Sequence, residues 1–286
     1  VTDGPKKRAL ITGASRGIGR VTAIELAKRG YDLTLVVRDR ARGDAVAAEA
    51  KSAAPGRDVE LLLGDLSSMK DVARIGKEFL GKHDRLDALV NNAGGLFMER
   101  QTTKDGFEMT LATNHLAYFV LTNALRPALE RAAPSRVVVV ASEAHRRAQI
   151  PWDDLMHEKS YSGFGAYGQS KLANILFARE LSKRLEGTKV TANSLHPGFV
   201  ATNFGRENKG IMRFVLPIAF LFALSDEDGA KTQIWAATSE ECAGVTGKYF
   251  DKCRESTPSA AARSDEDAAR LWKVTEELLA KAGVGT

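Results

Sequence analysis

Cysteine is nearly absent from this chain: Cys242 and Cys253 are the only two among 286 residues. Neither has metal-ligand companions at useful spacing, which argues against a zinc module or a disulfide-built scaffold. With nothing resembling a secretory signal, the expected setting is a reducing, cytoplasmic one. Histidine is also sparse, and the five, at positions 83, 115, 145, 157 and 196, form no HExxH or comparable ligand set, so no metal is expected. A GxSxG nucleophile elbow is missing too. The nearest string, Gly168-Gln169-Ser170-Lys171-Leu172, lacks the final glycine and lies in a helical pattern, which argues against a serine hydrolase. The 41 basic residues are scattered among 36 acidic ones, for a net charge of +5, with no aromatic-basic interleaving, so nucleic acid is not an expected partner. There is no internal repeat or low-complexity linker. The longest apolar stretch, residues 211–224, carries Arg213 and Pro217 and is too short to span a bilayer.

What is present is a regular alternation of apolar runs and helical patterns in a chain that is 44% hydrophobic, enough for a substantial core and one doubly wound α/β domain. Arg8 to Thr12 reads as a strand and leads into Gly13-Ala14-Ser15-Arg16-Gly17-Ile18-Gly19, followed by a helical pattern that Gly30 ends. Strand, glycine turn and helix together suit a pyrophosphate, because the glycines let the backbone approach and the helix start offers free N–H groups. On the second strand, Leu33 to Val37, the position where an acidic residue would hold the ribose hydroxyls of NAD is taken by Val37, and Arg38 follows. Arg38 and Arg16 are placed to pair with a 2′-phosphate, which favours NADPH, although both are also readable as ordinary solvated charges. Asp39 complicates this, since a carboxylate turned inward would repel that phosphate.

Tyr167 and Lys171 stand four apart in a helical pattern and so share one face. A phenol beside an ammonium is a tunable acid: bringing its pKa from about 10 toward neutrality takes roughly 4 kcal/mol of phenolate stabilisation, which a close cation helps to supply. Further along, Leu86 to Val90 ends in Asn91-Asn92-Ala93-Gly94, Asn114 sits in the next helical pattern, and Val137 to Val140 leads into Ala141-Ser142.

Through TGASRGIG at 12–19, Asp65, NNAG at 91–94, Asn114, Ser142, YGQSK at 167–171 and HPGFVAT at 196–202, the chain resembles the short-chain dehydrogenase/reductase family over nearly its whole length. The runs TNHLAYFVLTNAL, IPWDDL and SLHPG look like its retinol dehydrogenase-like branch, whose members commonly use NADP(H) on apolar aldehydes, ketones and alcohols. The resemblance implies a Rossmann-type doubly wound parallel sheet with helices on both faces. It implies Tyr167 as general acid or base, Ser142 as hydrogen-bond donor to the substrate oxygen, Lys171 as tuner of the tyrosine and holder of the nicotinamide ribose, and Asn114 as positioner of a water linking Lys171 to solvent. It also implies a cofactor shell of Gly13, Ser15, Arg16, Gly17, Ile18, Gly19, Arg38, Asp65, Leu66, Asn92, Ala93, Gly94, Tyr167, Lys171, Pro197, Gly198 and Thr202. On local chemistry alone, Ser142 is also readable as a turn cap, Asn114 as a helix polar group satisfied by backbone, Asp65 as a turn residue and Pro197-Gly198 as a simple turn. His196 is left out of the catalytic set.

The cofactor half is expected over 6–145. An insert at 143–166, holding Pro151, Trp152, His157, Tyr161 and Phe164, is either a pocket wall or a satellite core of its own. Residues 203–225 are expected to act as a lid, with a dimer contact or a peripheral membrane contact through 211–224 as the other readings. Ser225 and Ser264 are expected to cap helices. The expected function is NADPH-dependent transfer of hydride between nicotinamide and a carbonyl or alcohol carbon of a small apolar substrate, in a homodimer or homotetramer. The alternatives are an NADPH-binding regulator without turnover and a reductase of a conjugated carbon-carbon double bond.

Overall fold

Short, mainly apolar runs, rather than strict alternation, are what strands covered on both faces require. In the computed structural model, which describes residues 6–198 and 224–284, they form one eight-stranded sheet. Its strands are β1 (Arg8–Thr12), β2 (Asp32–Val37), β3 (Val59–Leu63), β4 (Ala88–Asn91), β5 (Ser135–Val140), β6 (Val190–His196), β7 (Tyr249–Asp251) and β8 (Arg254–Glu255). Their spatial order is β3-β2-β1-β4-β5-β6-β7-β8, parallel through β7, with the two-residue β8 added antiparallel.

Alternate residues of each strand feed opposite cores, as the two-residue period demands. Leu10, Val36, Leu62, Val137 and Val139 pack under α3 (Met69–Lys82), the helix pair α4 (Met109–Leu111) and α5 (Ala117–Ala132), and α6 (Gly163–Arg184). Ala9, Ile11, Leu33, Leu35, Val138 and Val140 pack under α1 (Gly17–Lys28), α2 (Arg40–Ala53) and α7 (Asp226–Thr238). The last helix, α8 (Asp265–Lys281), places Trp272 and Leu279 in the first of these cores. Ser225 and Ser264 cap α7 and α8, each accepting a backbone N–H at 3.0 Å, from Asp228 and Asp267.

The strand order reverses between β1 and β4, and a crevice opens there beyond their carboxyl ends, the place where open α/β sheets take ligands. The insert after β5 is shorter than its sequence pattern indicated, because α6 begins at Gly163. Trp152, Leu155 and Ile150 pack against Leu172 and Leu176 of α6, and the Tyr161 hydroxyl donates to the Phe97 carbonyl at 2.7 Å. Ile150, Trp152 and Leu155 thus form a satellite core against α6, and Phe164, in its first turn, is exposed. Thr202 and the expected lid and apolar run from 203 to 223 lie outside the described residues.

Candidate active site

The glycine turn is locked against β4. Thr12 Oγ1 accepts the backbone N–H groups of Asn92 and Ala93 at 2.9 and 3.0 Å, and Asn92 Nδ2 donates to the Thr12 carbonyl at 2.8 Å. Gly13 has φ +67°, and a β-carbon there would stand 2.8 Å from Ala93 Cα. A β-carbon on Gly19 would collide with the Gly13 carbonyl and lie 2.6 Å from Asn92 Nδ2. Both positions thus need glycine for conformation or for close approach. Ser15 is half-buried in the turn, and Ile18 packs against Val21, Ala230 and Ile234.

The start of α1 suits a diphosphate. Arg16, at the N-cap, makes no side-chain cap, and the first turn holds no acidic residue, so the N–H groups of the opening turn keep their capacity for an anion. Replacing Gly19 with Ala strains the turn by about 1–3 kcal/mol. The expected outcome is a cofactor affinity lower by about tenfold or more in a fluorescence titration.

At the end of β2, Val37 is buried, whereas Arg38 and Arg16 are exposed and form no ion pair with another described residue. The Asp39 carboxylate is occupied as the cap of α2, accepting the Arg42 N–H at 3.1 Å and pairing with its guanidinium at 3.4 Å. Asp65 is exposed after β3 and accepts the Ser67 N–H at 2.9 Å, while Leu66 packs into the core.

The other side of the crevice is built on α5 and α6. Between α4 and α5, residues Ala112–Leu116 form a π-helical turn, a distortion that recurs at functional sites, and Asn114 sits in it fully buried. Its amide nitrogen donates to the Gly95 carbonyl at 2.9 Å and to Ser170 Oγ at 3.0 Å, and its oxygen accepts the Gly95 N–H at 2.8 Å. Asn114 thereby pins the loop after β4 to α6, and both of its N–H donors are used.

Ser142 follows β5, and its Oγ accepts the Ala144 N–H at 3.2 Å, which leaves its own proton free to donate. The Tyr167 hydroxyl hydrogen-bonds with Ser142, and Lys171 Nζ lies 5.5 Å from the Tyr167 ring centroid. Lys171 is 3% exposed and donates to the Val140 carbonyl at 3.1 Å. A β-carbon on exposed Gly94 would lie 3.1 Å from Asn114 Oδ1 and 3.4 Å from Lys171 Nζ. The crevice floor at Gly94 therefore faces both groups, and the residues present fit a nicotinamide dinucleotide laid across it from the α1 start to Lys171.

One electrostatic expectation fails. Tyr167 is pushed up to about 12 by burial, against which the Ser142 hydrogen bond acts, rather than down toward neutrality. Burial lowers Lys171 to about 7, so its full positive charge is not on hand at neutral pH, and its Nζ is directed at Val140. In the free protein desolvation outweighs the attraction between the pair.

Pro197 and Gly198 follow β6, with Gly198 at φ +89°. Several participants were not singled out from sequence: Thr12, Tyr118, whose hydroxyl donates to the Ala93 carbonyl at 2.6 Å, and Asn174, which donates to the Val140 carbonyl at 3.2 Å beside Lys171. Helical spacing carries a signal for two of them, since Tyr118 is four residues after Asn114 and Asn174 three after Lys171. A cavity of about 710 Å3 at the opposite ends of the strands, lined in part by Tyr31, Asp87 and Arg136, includes none of these groups.

A switch-point crevice, a glycine turn on a helix start and a Ser-Tyr-Lys cluster define a nucleotide-dependent oxidoreductase architecture. The model of the short chain dehydrogenase family matches residues 7–210, and the chain belongs to that family. Among curated proteins it is 42% identical to retinol dehydrogenase 14 of Mus musculus, the match covering 96% of this chain and 86% of that protein. It is 39% identical to retinol dehydrogenase 13 of Homo sapiens, covering 96% and 85%. Among solved structures, an uncharacterized protein from Mycobacterium Paratuberculosis superposes with TM-score 0.78 at 33% identity, covering 96% of this chain and 93% of that one. The Pseudomonas aeruginosa RhlG/NADP active-site complex does so at 0.69 and 27%, covering 85% and 93%. The protein is accordingly an oxidoreductase acting on alcohols or carbonyls with a nicotinamide cofactor.

Proposed function

We propose that the protein is an NADPH-dependent reductase of small apolar aldehydes or ketones, reversible toward the alcohols, with Tyr167 as general acid and base. The observation that carries this is the hydrogen bond between Ser142 and Tyr167 with Lys171 on the same helical face. NADPH, when bound, would supply the hydride, and NADP+ would accept it in the reverse direction. Ser142 donates its free proton to the carbonyl oxygen as negative charge develops there, and Tyr167 delivers the proton that completes the alcohol. A phenol held up near 12 is protonated at neutral pH, the form that reduction needs. Lys171 and the backbone at Gly94 and Gly95 hold the ribose side, with Asn114 fixing that loop against α6 beside Lys171, while Gly13, Ser15, Gly17, Ile18, Gly19, Asn92 and Ala93 line the diphosphate path. Asp65 and Leu66 flank the adenine, and Pro197 and Gly198 seat the carboxamide. Retinol dehydrogenase relatives support an apolar substrate, and the NADP complex of a structural neighbour is in keeping with the phosphate-bearing cofactor.

The preference for NADPH rests on Val37 in place of a carboxylate, on Arg16 and Arg38, which form no ion pair among the described residues, and on Asp39 being turned to its cap. A charge-assisted contact is worth about 1.5–3 kcal/mol. Arg38→Ala is therefore expected to weaken NADPH about tenfold or more while leaving NADH nearly unchanged in parallel titrations; equal losses for the two would remove Arg38 from this role. The reading as a whole is tested by following NADPH oxidation across medium-chain and aromatic aldehydes, retinal and bulky ketones. Turnover on at least one class is the expected result, and tight NADPH binding with no turnover on any would return the regulator reading.

A further inference from the structure

Two histidines, His145 buried and His196 half-buried, stand beside Ser142, and neither has a part in the proton transfers above. His145 is fully buried: Nδ1 lies 2.6 Å from the Ser142 carbonyl, and Nε2 lies 3.1 Å from the Ser259 backbone nitrogen. Both partners are backbone groups of fixed polarity, for a carbonyl only accepts and an N–H only donates. The ring is thus held as the neutral tautomer with its proton on Nδ1. His196, at the end of β6, accepts the Glu143 N–H on Nδ1 at 3.3 Å, continuing with a side chain the pairing in which Ala141 N donates to the Leu195 carbonyl at 2.8 Å. Ser142 and Glu143 are therefore gripped from two sides, His145 donating to the Ser142 carbonyl and His196 accepting the Glu143 N–H.

We propose that His145 and His196 are positioning residues that place the Ser142 hydroxyl, and that protonating either one breaks one of the holds that fix it, the Ser259 anchor of the His145 ring or the His196 contact with the Glu143 N–H. An imidazolium would turn an N–H toward the Ser259 or Glu143 N–H, donor against donor. The groups facing the pair from the turn after β5 and from β7 are Glu143, Arg146, Tyr249 and Asp251. Glu143 is tied to Arg146 and accepts from the Tyr249 hydroxyl at 3.0 Å. Burial is the largest influence and lowers both histidines from their usual 6.5; Glu143 and Asp251 favour the imidazolium of His196, and His145 and Arg146 oppose it. The clamp accordingly holds through neutral pH and fails only below the ordinary imidazole range.

This inference rests on the function proposed for Ser142, so its test has one arm that does not use activity. Nitrogen-15 NMR of the NADPH-bound protein is expected to show His145 with its proton on Nδ1. The Glu143 and Ala144 amide shifts are expected to move with the midpoints of the two imidazoles. A proton on Nε2 of His145, or amide shifts indifferent to both titrations, overturns the inference. In the activity arm, kcat with NADPH and octanal is followed against pH. Because misplacement by about 1 Å costs about 10²-fold, His145→Phe is expected to lose activity on that scale with NADPH affinity within about twofold. His145→Asn, which keeps a donor near Nδ1 and does not titrate, recovers most of that loss and shifts the acid limb; an equal loss in Phe and Asn, or an unmoved limb, contradicts the proposal. A protein that reduces no carbonyl but shows the NMR signature leaves the clamp standing and removes only the function assigned to the site.

Discussion

Replacing Tyr167 with Phe is expected to lower kcat by about 10²- to 10⁴-fold, the range that general acid–base catalysis contributes. NADPH affinity should stay within a few-fold, because the substitution removes one hydroxyl whose partner is Ser142 and leaves the ring, Lys171 and the α1 start in place. The Ser142 hydroxyl also keeps its contact with the Ala144 N–H, so no buried polar group is stranded. The measurement is steady-state kinetics beside a fluorescence titration. Turnover retained within a few-fold would take the proton transfer away from Tyr167.

The second large effect concerns stability. Lys171 titrates at about 7 in the folded protein against an ordinary 10.5, with burial as the cause. Between those values the unfolded chain holds a proton that the folded chain has released, so stability rises with pH across that window. Below about 7 the folded protein carries the full cost of a buried ammonium; above about 10.5 there is none. Lys171→Met fills similar space without charge, and the Val140 carbonyl keeps the Asn174 amide as partner at 3.2 Å. The variant should therefore melt higher than the parent near pH 7, by about 5–10 °C if a few kcal/mol is relieved. The gain should shrink as pH approaches 10.5, and turnover should be lost. Binding linkage adds a second readout: NADPH should raise the melting temperature of the parent more than that of the variant, because the ribose gives the ammonium partners that Met does not use. A variant less stable than the parent at pH 7 would mean that Lys171 bears no such cost.

The fold was legible because most of its strands are mainly apolar. The run 8–12 is a strand with those bounds, and Leu33 to Val37 lies in β2 with every residue buried. Gly13 and Gly19 marked the turn because only glycine tolerates the approach of Ala93 and Asn92. Tyr167, Lys171 and Asn114 were legible as side chains with chemistry of their own. The supports of the site were harder to read, because they act on backbone. Thr12 accepts two N–H groups, His145 and His196 hold the peptide after β5, and Asn174 shares a carbonyl with Lys171; none of those partners has a letter in the sequence. The tyrosine pKa was misread for a related reason. Spacing put a cation four residues away, but it does not reveal that both groups are desolvated and that the ammonium is directed at Val140. Trp152 was left between pocket wall and satellite core, because its spacing does not show that it packs on the Leu172 side of α6.

The most direct test of the account is isotopic: NADPH deuterated at the transferable nicotinamide position is incubated with the protein and retinal, which offers both a carbonyl and conjugated double bonds. Mass spectrometry of the product should find the deuterium on the carbinol carbon of retinol, with the chain of double bonds intact and the transfer dependent on Tyr167. Deuterium on a saturated ring or chain carbon, or label remaining wholly on the cofactor with retinal and with every other carbonyl of the panel, would contradict it.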